Sequence, residues 1–217
     1  MLSTDNKAVF GVVESGIANT GSVRRAFQRL GVDATLLSHG RDLCNVDAVV
    51  LPGVGSFADG MTSLREKGFI DPLKKHVTDG KPIIGLCLGM QLLADFSEEN
   101  GTHEGLGIVR GHVTRLYPAK QERVPNIGWC DLNPSGGTRL FKGIASGESI
   151  YFVHSYHFIC KDPKVNAATI SFGGSEVTAA IEYKNIFGLQ GHPEKSQDVG
   201  LRVLHNFICS AGKRIVG

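Results

Sequence analysis

The sequence lacks any long hydrophobic run and has no excess of charge of one sign. No apolar stretch approaches the roughly 20 residues that a membrane-spanning helix requires, and the formal net charge of the 217 residues is +2. Both signs are mixed along the chain, which gives no indication of a nucleic-acid or anionic-membrane partner. The first residues also lack the basic flank and apolar segment of a secretion signal. We therefore expect a cytoplasmic protein.

Paired cysteines are missing as well. The five cysteines include no CxxC pair, and their odd number does not fit a disulfide framework. Together with Cys130, the histidines His154 and His157 do not have the spacing of a closed zinc site. The segment 15–22 is glycine-rich, but it lacks both the G-x-G-x-x-G and the Walker spacing of a phosphate-binding loop. We expect a reducing compartment, no metal and no cofactor.

Apolar runs that alternate with amphipathic segments dominate the first half. The runs 47–53 and 81–86 are apolar at nearly every position, which is typical of strands buried on both faces of a parallel sheet. The second half has closely spaced strand candidates, which predict an antiparallel extension. We therefore predict one α/β domain over residues 1–217, with a mostly parallel central sheet flanked by helices. Predicted strands cover 8–13, 33–37, 47–53, 81–86, 107–116, 149–158, 166–173, 178–183 and 186–190, and predicted helices cover 21–31, 59–68, 88–99 and 196–212, the last capped by Ser196.

The segment "GLCLG" places Cys87 between two glycines, after a predicted strand and before a predicted helix. This is the thiol version of a nucleophile elbow, in which flanking glycines permit a sharp turn that exposes the central side chain. The positive end of the helix would favour the thiolate, and the backbone amide of Leu88 could donate to an oxyanion. Although most single cysteines are inert core residues, this context predicts a nucleophile.

A base for this thiol is predicted near the end of the chain. In "GLQGHPEKS", His192 and Glu194 are two residues apart, which points both side chains to one side of an extended segment. Pro193 restricts the backbone between them. Glu194 could then orient and stabilise a protonated His192, as the acid does in a cysteine–histidine–acid triad.

Five separated segments resemble the class I, or triad-type, glutamine amidotransferases, and within that family the glutaminase subunits of imidazole glycerol phosphate synthases. The resemblance covers nearly the whole chain, and the segments occur in the expected order. They are "PGVGSF" (52–57), "GLCLGMQLL" (85–93), "PNIGW" (125–129), "YFVHSYHF" (151–158) and "GLQGHPEKS" (188–196).

This resemblance implies a flavodoxin-like fold and a glutaminase. L-glutamine would be hydrolysed to glutamate and ammonia through a thioester on Cys87, with His192 and Glu194 completing the triad. The segment Gly53–Val54–Gly55 would supply the second oxyanion donor beside Leu88. Gln91 and the backbone of His154, Ser155 and Tyr156 would hold the substrate.

The resemblance also implies a partner. In this family the ammonia passes to a (β/α)8 barrel cyclase in a heterodimer that makes imidazole glycerol phosphate and AICAR in histidine biosynthesis. Lys195 matches a lysine that pairs with an acidic group on the barrel, Trp129 matches an interface aromatic residue, and Asn19 lies in a partner-facing segment.

Two segments depart from the family pattern. "ESGIAN" (14–19) stands where Asp-Tyr-Gly-x-Gly-Asn is usual, and "NIGWC" (126–130) where His-x-Gly-Trp-Asn is usual. These departures leave open a second function, in which the same glutaminase chemistry serves an enzyme that amidates nucleotide sugars for surface polysaccharides. The sequence also leaves open a stand-alone peptidase or stress-type hydrolase of related architecture, and a non-catalytic binding module that keeps the fold.

Overall fold

The computed structural model describes residues 8–16 and 18–212. Its elements alternate between strands and helices in the first half and are mainly strands in the second, as the sequence predicts. The strands are β1 (Phe10–Val13), β2 (Ala34–Leu37), β3 (Ala48–Gly53), β4 (Ile83–Cys87), β5 (Phe96–Ser97), β6 (His103–Glu104), β7 (Gly111–Arg115), β8 (Asn126–Asp131), β9 (Asn133–Pro134), β10 (Ser149–His154), β11 (Tyr156–Cys160), β12 (Asn166–Phe172), β13 (Ser175–Tyr183) and β14 (Ile186–Leu189). The helices are α1 (Thr20–Arg29), α2 (Phe57–Glu66), α3 (Ile70–Thr78), α4 (Leu88–Gln91) and α5 (Gln197–Gly212), with short 3-10 helices at Gly40–Asn45, Pro163–Val165 and Pro193–Lys195.

An eight-stranded sheet forms the centre of the molecule, in the order β2-β1-β3-β4-β14-β13-β12-β9. The strands from β2 to β14 are parallel, and β13, β12 and β9 extend the sheet in antiparallel pairs. Every residue of β3 and β4 is buried. The predicted fold class is therefore confirmed, because uninterrupted apolar strands require cover on both faces.

Two hydrophobic layers provide that cover. Helices α1 and α5 pack on one face, where the ring of Phe207 contacts those of Phe10 and Phe187. Helices α2 and α3 pack on the other face through residues such as Leu64 and Leu73. Helix α3 was not predicted from the sequence. Within the described residues, no helix has both the length and the apolar character needed to cross a bilayer.

The predicted strand 149–158 is wrong as a single element, because the chain changes sheets at Ser155. Strand β10 pairs with β8 in a two-stranded sheet. Strand β11 pairs instead with β7, in a four-stranded sheet ordered β11-β7-β5-β6. The backbone carbonyl of Ser155 accepts a hydrogen bond from Leu116 N at 2.9 Å, which fixes the junction. The apolar pattern continues through the junction because both strands bury side chains.

The predicted helix 88–99 is also wrong, because α4 ends at Gln91 after a single turn. The carbonyls of Leu92 and Leu93, which would have continued the helix, accept hydrogen bonds from Leu106, Ile108 and Val109 instead. The loop 105–109, which supplies these donors, takes the place of the first residues of the predicted strand 107–116. Strand β7 therefore begins at Gly111, four residues after the predicted start. Long-range backbone contacts have therefore replaced local helical ones.

Candidate active site

Cys87 lies where β4 meets α4, in a backbone conformation that residues other than glycine rarely adopt. Its φ of 53° and ψ of −114° make it one of the few residues other than glycine with positive φ. Such strain at a residue held by its surroundings is typical of a nucleophile elbow. Cys87 also lies opposite Gly53 in the register of β3 and β4, at the carboxyl edge of the sheet where open α/β folds bind ligands.

Glycines make this turn possible by letting backbones approach closely. A Cβ atom at Gly89 would lie 1.7 Å from the carbonyl oxygen of Leu51, and one at Gly85 would lie 2.5 Å from the carbonyl oxygen of Gly89. A Cβ atom at Gly53 would lie 2.9 Å from that of Leu88. The elbow thus depends on glycine for space between β3, β4 and α4, as the Gly-x-Cys-x-Gly pattern predicts.

The short α4 changes one part of the sequence-based interpretation. A helix of four residues sums few peptide dipoles, so the predicted contribution of a long helix to the thiolate is much reduced. Leu88 still has a backbone N–H without an intrahelical acceptor, as every first residue of a helix does. Neighbouring side chains must therefore provide more of the stabilisation of an ionised Cys87.

His192 and Glu194 form a buried pair beside this cysteine. Nδ1 of His192 lies 2.9 Å from Oε1 of Glu194, and the two side chains are 5% and 4% exposed. Burial alone lowers the pKa of His192, but the neighbouring Cys87 and Glu194 side chains outweigh it and raise this pKa to about 9. Nε2 of His192 is buried and has no hydrogen-bond partner in the described residues. The thiol and the ring are thus neighbours without a fully formed hydrogen bond, and Nε2 is the nitrogen free to exchange a proton.

A cavity of about 280 Å³ opens at Cys87, a size that suits a small ligand. The structure brings most of the predicted site residues to its walls, whereas Gly53 packs beneath the elbow and Glu194 lies behind His192. The predicted residues that line the cavity are Val54, Gly55, Cys87, Leu88, Gln91, His154, Ser155, Tyr156 and His192. Gly55 has a φ of 94° and open space where a Cβ would be, so its backbone can face the cavity closely.

Hydrogen bonds hold the buried side chains of Gln91 and His154 on this wall. The carbonyl oxygen of Tyr156 accepts from Nε2 of Gln91 at 3.0 Å and from Nδ1 of His154 at 2.9 Å. Nε2 of His154 accepts from the side-chain amide of Asn126 at 3.2 Å. Burial above all lowers the pKa of His154 to about 4. His154 is therefore neutral at pH 7, and its two ring nitrogens have distinct partners.

The residues predicted to contact a partner lie outside the cavity. Trp129 on β8 is half exposed, and its ring contacts that of Tyr151 on β10. Nζ of Lys195 lies 5.9 Å from the centre of the same tyrosine ring. Asn19 is on another element, where its side-chain oxygen accepts a hydrogen bond from Ser22 N and caps α1. The structure thus places Trp129 and Lys195 beside the same tyrosine, whereas Asn19 lies exposed at the start of α1.

Two polar residues at the site were not predicted. Gln190 is fully buried and its Nε2 lies 3.8 Å from Sγ of Cys87. Gln190 is two residues before His192, and in an extended segment residues two apart point to the same side. This spacing could have predicted that Gln190 lies at the site. Glu99 lines the cavity and accepts a hydrogen bond from Phe57 N at 2.7 Å. No local pattern marks Glu99. In the described part of the chain, no three or more His, Cys, Asp or Glu side chains are grouped as a metal site would require.

A family model and several curated proteins are similar in sequence to nearly the whole chain. The family model described as glutamine amidotransferase class-I matches residues 11–211. The imidazole glycerol phosphate synthase subunit HisH of Syntrophotalea carbinolica is 42% identical over 201 residues, which are 90% of this chain and 97% of that protein. The protein of the same name from Nostoc punctiforme is 38% identical over 208 residues, which are 95% and 98% of the two chains.

Solved structures share the fold at lower sequence identity. A crystal structure of a glutamine amidotransferase aligns with a TM-score of 0.74 at 22% identity, over 94% of this chain and all of that one. A chain of PurLQS from Thermotoga maritima aligns with a TM-score of 0.73 at 23% identity, over 94% and 98% of the two chains. Together with the match over nearly the whole sequence, these similarities show that the chain belongs to the class I glutamine amidotransferase family.

Proposed function

We propose that this chain is the glutaminase subunit of an imidazole glycerol phosphate synthase and delivers ammonia to a barrel cyclase partner. The observation that supports this most is a strained Cys87 on a cavity wall beside the buried His192–Glu194 pair. The family and the sequence similarity to HisH proteins agree with it. The rest of the reaction follows from the positions of these groups.

The thiolate of Cys87 attacks the side-chain carbonyl carbon of glutamine. The tetrahedral oxyanion accepts hydrogen bonds from Leu88 N–H and from the backbone at Gly53–Gly55, two elements that meet at the elbow. Because the pKa of His192 is about 9, its ring carries a proton at neutral pH and can give it to the departing nitrogen. The C–N bond breaks, ammonia leaves, and a γ-glutamyl thioester remains. Water then attacks the thioester, His192 takes a proton from that water, and glutamate is released.

The cavity wall also offers groups that suit the two charged ends of glutamine. Both hydrogens on Nε2 of Gln91 are already used, one by Tyr156 and one by Gln190. Its side-chain oxygen therefore remains to accept from a donor on the substrate. The carboxylate of Glu99 is the acidic group on the wall and suits the α-ammonium group. The α-carboxylate requires donors, which the backbone N–H groups of the 154–156 segment can supply.

The pH dependence of glutamine hydrolysis should report the proton on His192. We expect kcat/KM to fall above about pH 9, where the ring loses its proton. In Glu194→Gln the neutral amide no longer favours the protonated ring, so the fall should begin at lower pH. The rate at pH 7 should also drop by roughly 100-fold. A Glu194→Gln variant with the wild-type pH profile would contradict the role of the pair.

An exposed apolar surface beside the cavity suits a protein partner. The β8–β10 face, which we define as the outward side chains of Ile127, Trp129, Tyr151 and Val153, lies on these two paired strands. Ile127 is 61% exposed and Trp129 is 50% exposed, which is unusual for side chains of this size. Val153 belongs both to this face and to the cavity wall. A partner docked here would cover the opening and keep ammonia from water.

A charge on the β8–β10 face should therefore weaken the complex. We expect Ile127→Asp to reduce affinity for the cyclase subunit by at least about tenfold, because a carboxylate would be buried in an apolar interface. Isothermal titration calorimetry measures this, and Tyr183→Asp is the matched control. Tyr183 is also exposed, but it lies at the β13–β14 turn, at the other end of β14 from the site. Equal affinities for the two variants would show that the partner docks elsewhere.

Reconstitution distinguishes histidine biosynthesis from nucleotide-sugar amidation. With glutamine and a barrel cyclase, we expect imidazole glycerol phosphate to form and glutamate release to increase. If only an enzyme that amidates nucleotide sugars stimulates glutamate release, the chain serves surface polysaccharide synthesis and the assignment to histidine biosynthesis is wrong.

A further inference from the structure

The sulfur of Cys87 has a second polar neighbour besides His192. Gln190 follows β14, in which Gly188 and Leu189 pair with Gly85 and Leu86 of β4, so it lies beside the elbow. It is 0% exposed, and its Nε2 lies 3.8 Å from Sγ of Cys87. A buried amide next to a nucleophile matters because its two ends have opposite effects. An N–H group stabilises a thiolate, whereas a carbonyl oxygen destabilises it.

The surrounding hydrogen bonds determine which end of Gln190 faces the sulfur. The backbone carbonyl of Tyr156 can only accept, so the side-chain nitrogen of Gln91 must face it, at 3.0 Å. The second hydrogen on that nitrogen points to Oε1 of Gln190, at 2.9 Å. Because the oxygen of Gln190 is held there, its nitrogen is directed to Cys87. The backbone acceptor at Tyr156 thus fixes the orientation of the Gln91 amide, which in turn fixes that of Gln190, so that an N–H group of Gln190 faces the sulfur.

The Tyr156 carbonyl, at which this series of hydrogen bonds begins, has a second donor. Besides Gln91, the Tyr156 carbonyl accepts from Nδ1 of His154 at 2.9 Å, which occupies its second lone pair. The other ring nitrogen of His154 accepts from Asn126, on β8. His154 and Gln91 are each held by two hydrogen bonds, which restricts the orientations that these side chains can adopt between β8 and the thiol.

We propose that Gln190 is a positioning residue that holds an N–H donor against the sulfur of Cys87, with its orientation fixed by Gln91 and the Tyr156 carbonyl. This inference rests on the proposed role of Cys87 as the nucleophile. The donor keeps the sulfur within the cavity and favours its ionised form. It supplies a stabilisation that the single turn of α4 provides only weakly.

Alkylation of Cys87 by iodoacetamide tests this directly, because the reagent reacts with the thiolate. The rate is followed at Cys87 by peptide mass spectrometry between pH 5 and 10, and the exposed Cys44 serves as an internal reference. We expect Gln190→Met, which keeps the size but lacks the donor, to slow alkylation at pH 7 about tenfold. The midpoint of the rate profile should move upward by about one pH unit.

The shape-matched Gln190→Glu separates this role from simple packing. A carboxylate fits the same space but places a negative charge by the sulfur, so it should slow alkylation more than methionine does. Gln91→Met leaves Gln190 in place but removes the hydrogen bond that orients its amide, so it should slow alkylation several-fold. This variant tests the proposal even if the Gln190 variants fail to fold. Thr178→Val, a buried polar change on β13 outside the cavity lining, should leave the rate unchanged.

An unchanged Cys87 profile in the Gln190 variants, or a glutamate variant as reactive as the wild type, would overturn the proposal. Alkylation requires neither glutamine nor a partner. A chain that shows these shifts but has no glutaminase activity would refute the proposed function and leave the positioning role intact. A chain with glutaminase activity whose Gln190 variants do not change the alkylation of Cys87 would refute the positioning role and leave the proposed function intact.

Discussion

Replacement of Cys87 by alanine should abolish glutamate release from glutamine, with a loss of at least about 1,000-fold. The elbow should persist, because alanine needs no more space than cysteine in the strained turn. Without the sulfur no thioester can form, and the described residues that line the cavity include no second cysteine. The measurement is glutamate release by the complex with the cyclase.

The same variant should keep the reaction that needs no glutaminase. When ammonium salts replace glutamine, the complex of Cys87→Ala with the cyclase should form product at a rate close to that of the wild type. Cys209→Ala is the matched control, since Cys209 is an exposed thiol on α5, and its glutaminase activity should be unchanged. Glutamine-dependent turnover that survives in Cys87→Ala would be incompatible with a thiol mechanism.

The second large effect concerns stability. Gly89→Ala would place a Cβ atom 1.7 Å from the carbonyl oxygen of Leu51, a backbone atom inside the central sheet. Because neither backbone can move without separating α4 from β3, we expect a loss of about 3 kcal/mol or more in the free energy of unfolding. Chemical denaturation of the purified variant measures it. Glutaminase activity should fall as well, since β3 leads directly into the Gly53–Gly55 segment.

Gly136→Ala provides the comparison for this clash. Gly136 is exposed, has no positive φ, and would have no atom within 4 Å of an added Cβ. Its substitution should change the free energy of unfolding by less than about 0.5 kcal/mol. Equal stability of the two variants would mean that the close approach at the elbow does not exist as described.

The parts of the site that follow from local chemistry were predictable from the sequence. The turn at Cys87 depends on Gly85 and Gly89 and on the strand before them, all within a few residues. The pairing of His192 with Glu194 depends on a spacing of two and on Pro193. Each of these restricts the backbone by itself, so the pattern of residues was sufficient.

The parts that depend on distant backbone partners were not predictable. Residues 88–99 have a helical pattern, yet the carbonyls of Leu92 and Leu93 bond to the loop 105–109, and the helix ends at Gln91. Glu99 reaches the cavity only because of that interruption. Likewise, the change of sheets at Ser155 depends on Leu116, far away in the sequence. No local signal encodes such competition between local and distant hydrogen-bond partners.

The most direct test of the central claim is to detect the covalent intermediate itself. The wild-type chain, together with the proposed cyclase partner, is mixed with glutamine, quenched in acid within the first turnover and analysed by intact mass and peptide mapping. We predict an added glutamyl group on the peptide that carries Cys87, which disappears on treatment with hydroxylamine and never forms in Cys87→Ala. Glutamate release during that turnover with no adduct on Cys87, under conditions that trap other thioesters, would contradict the account.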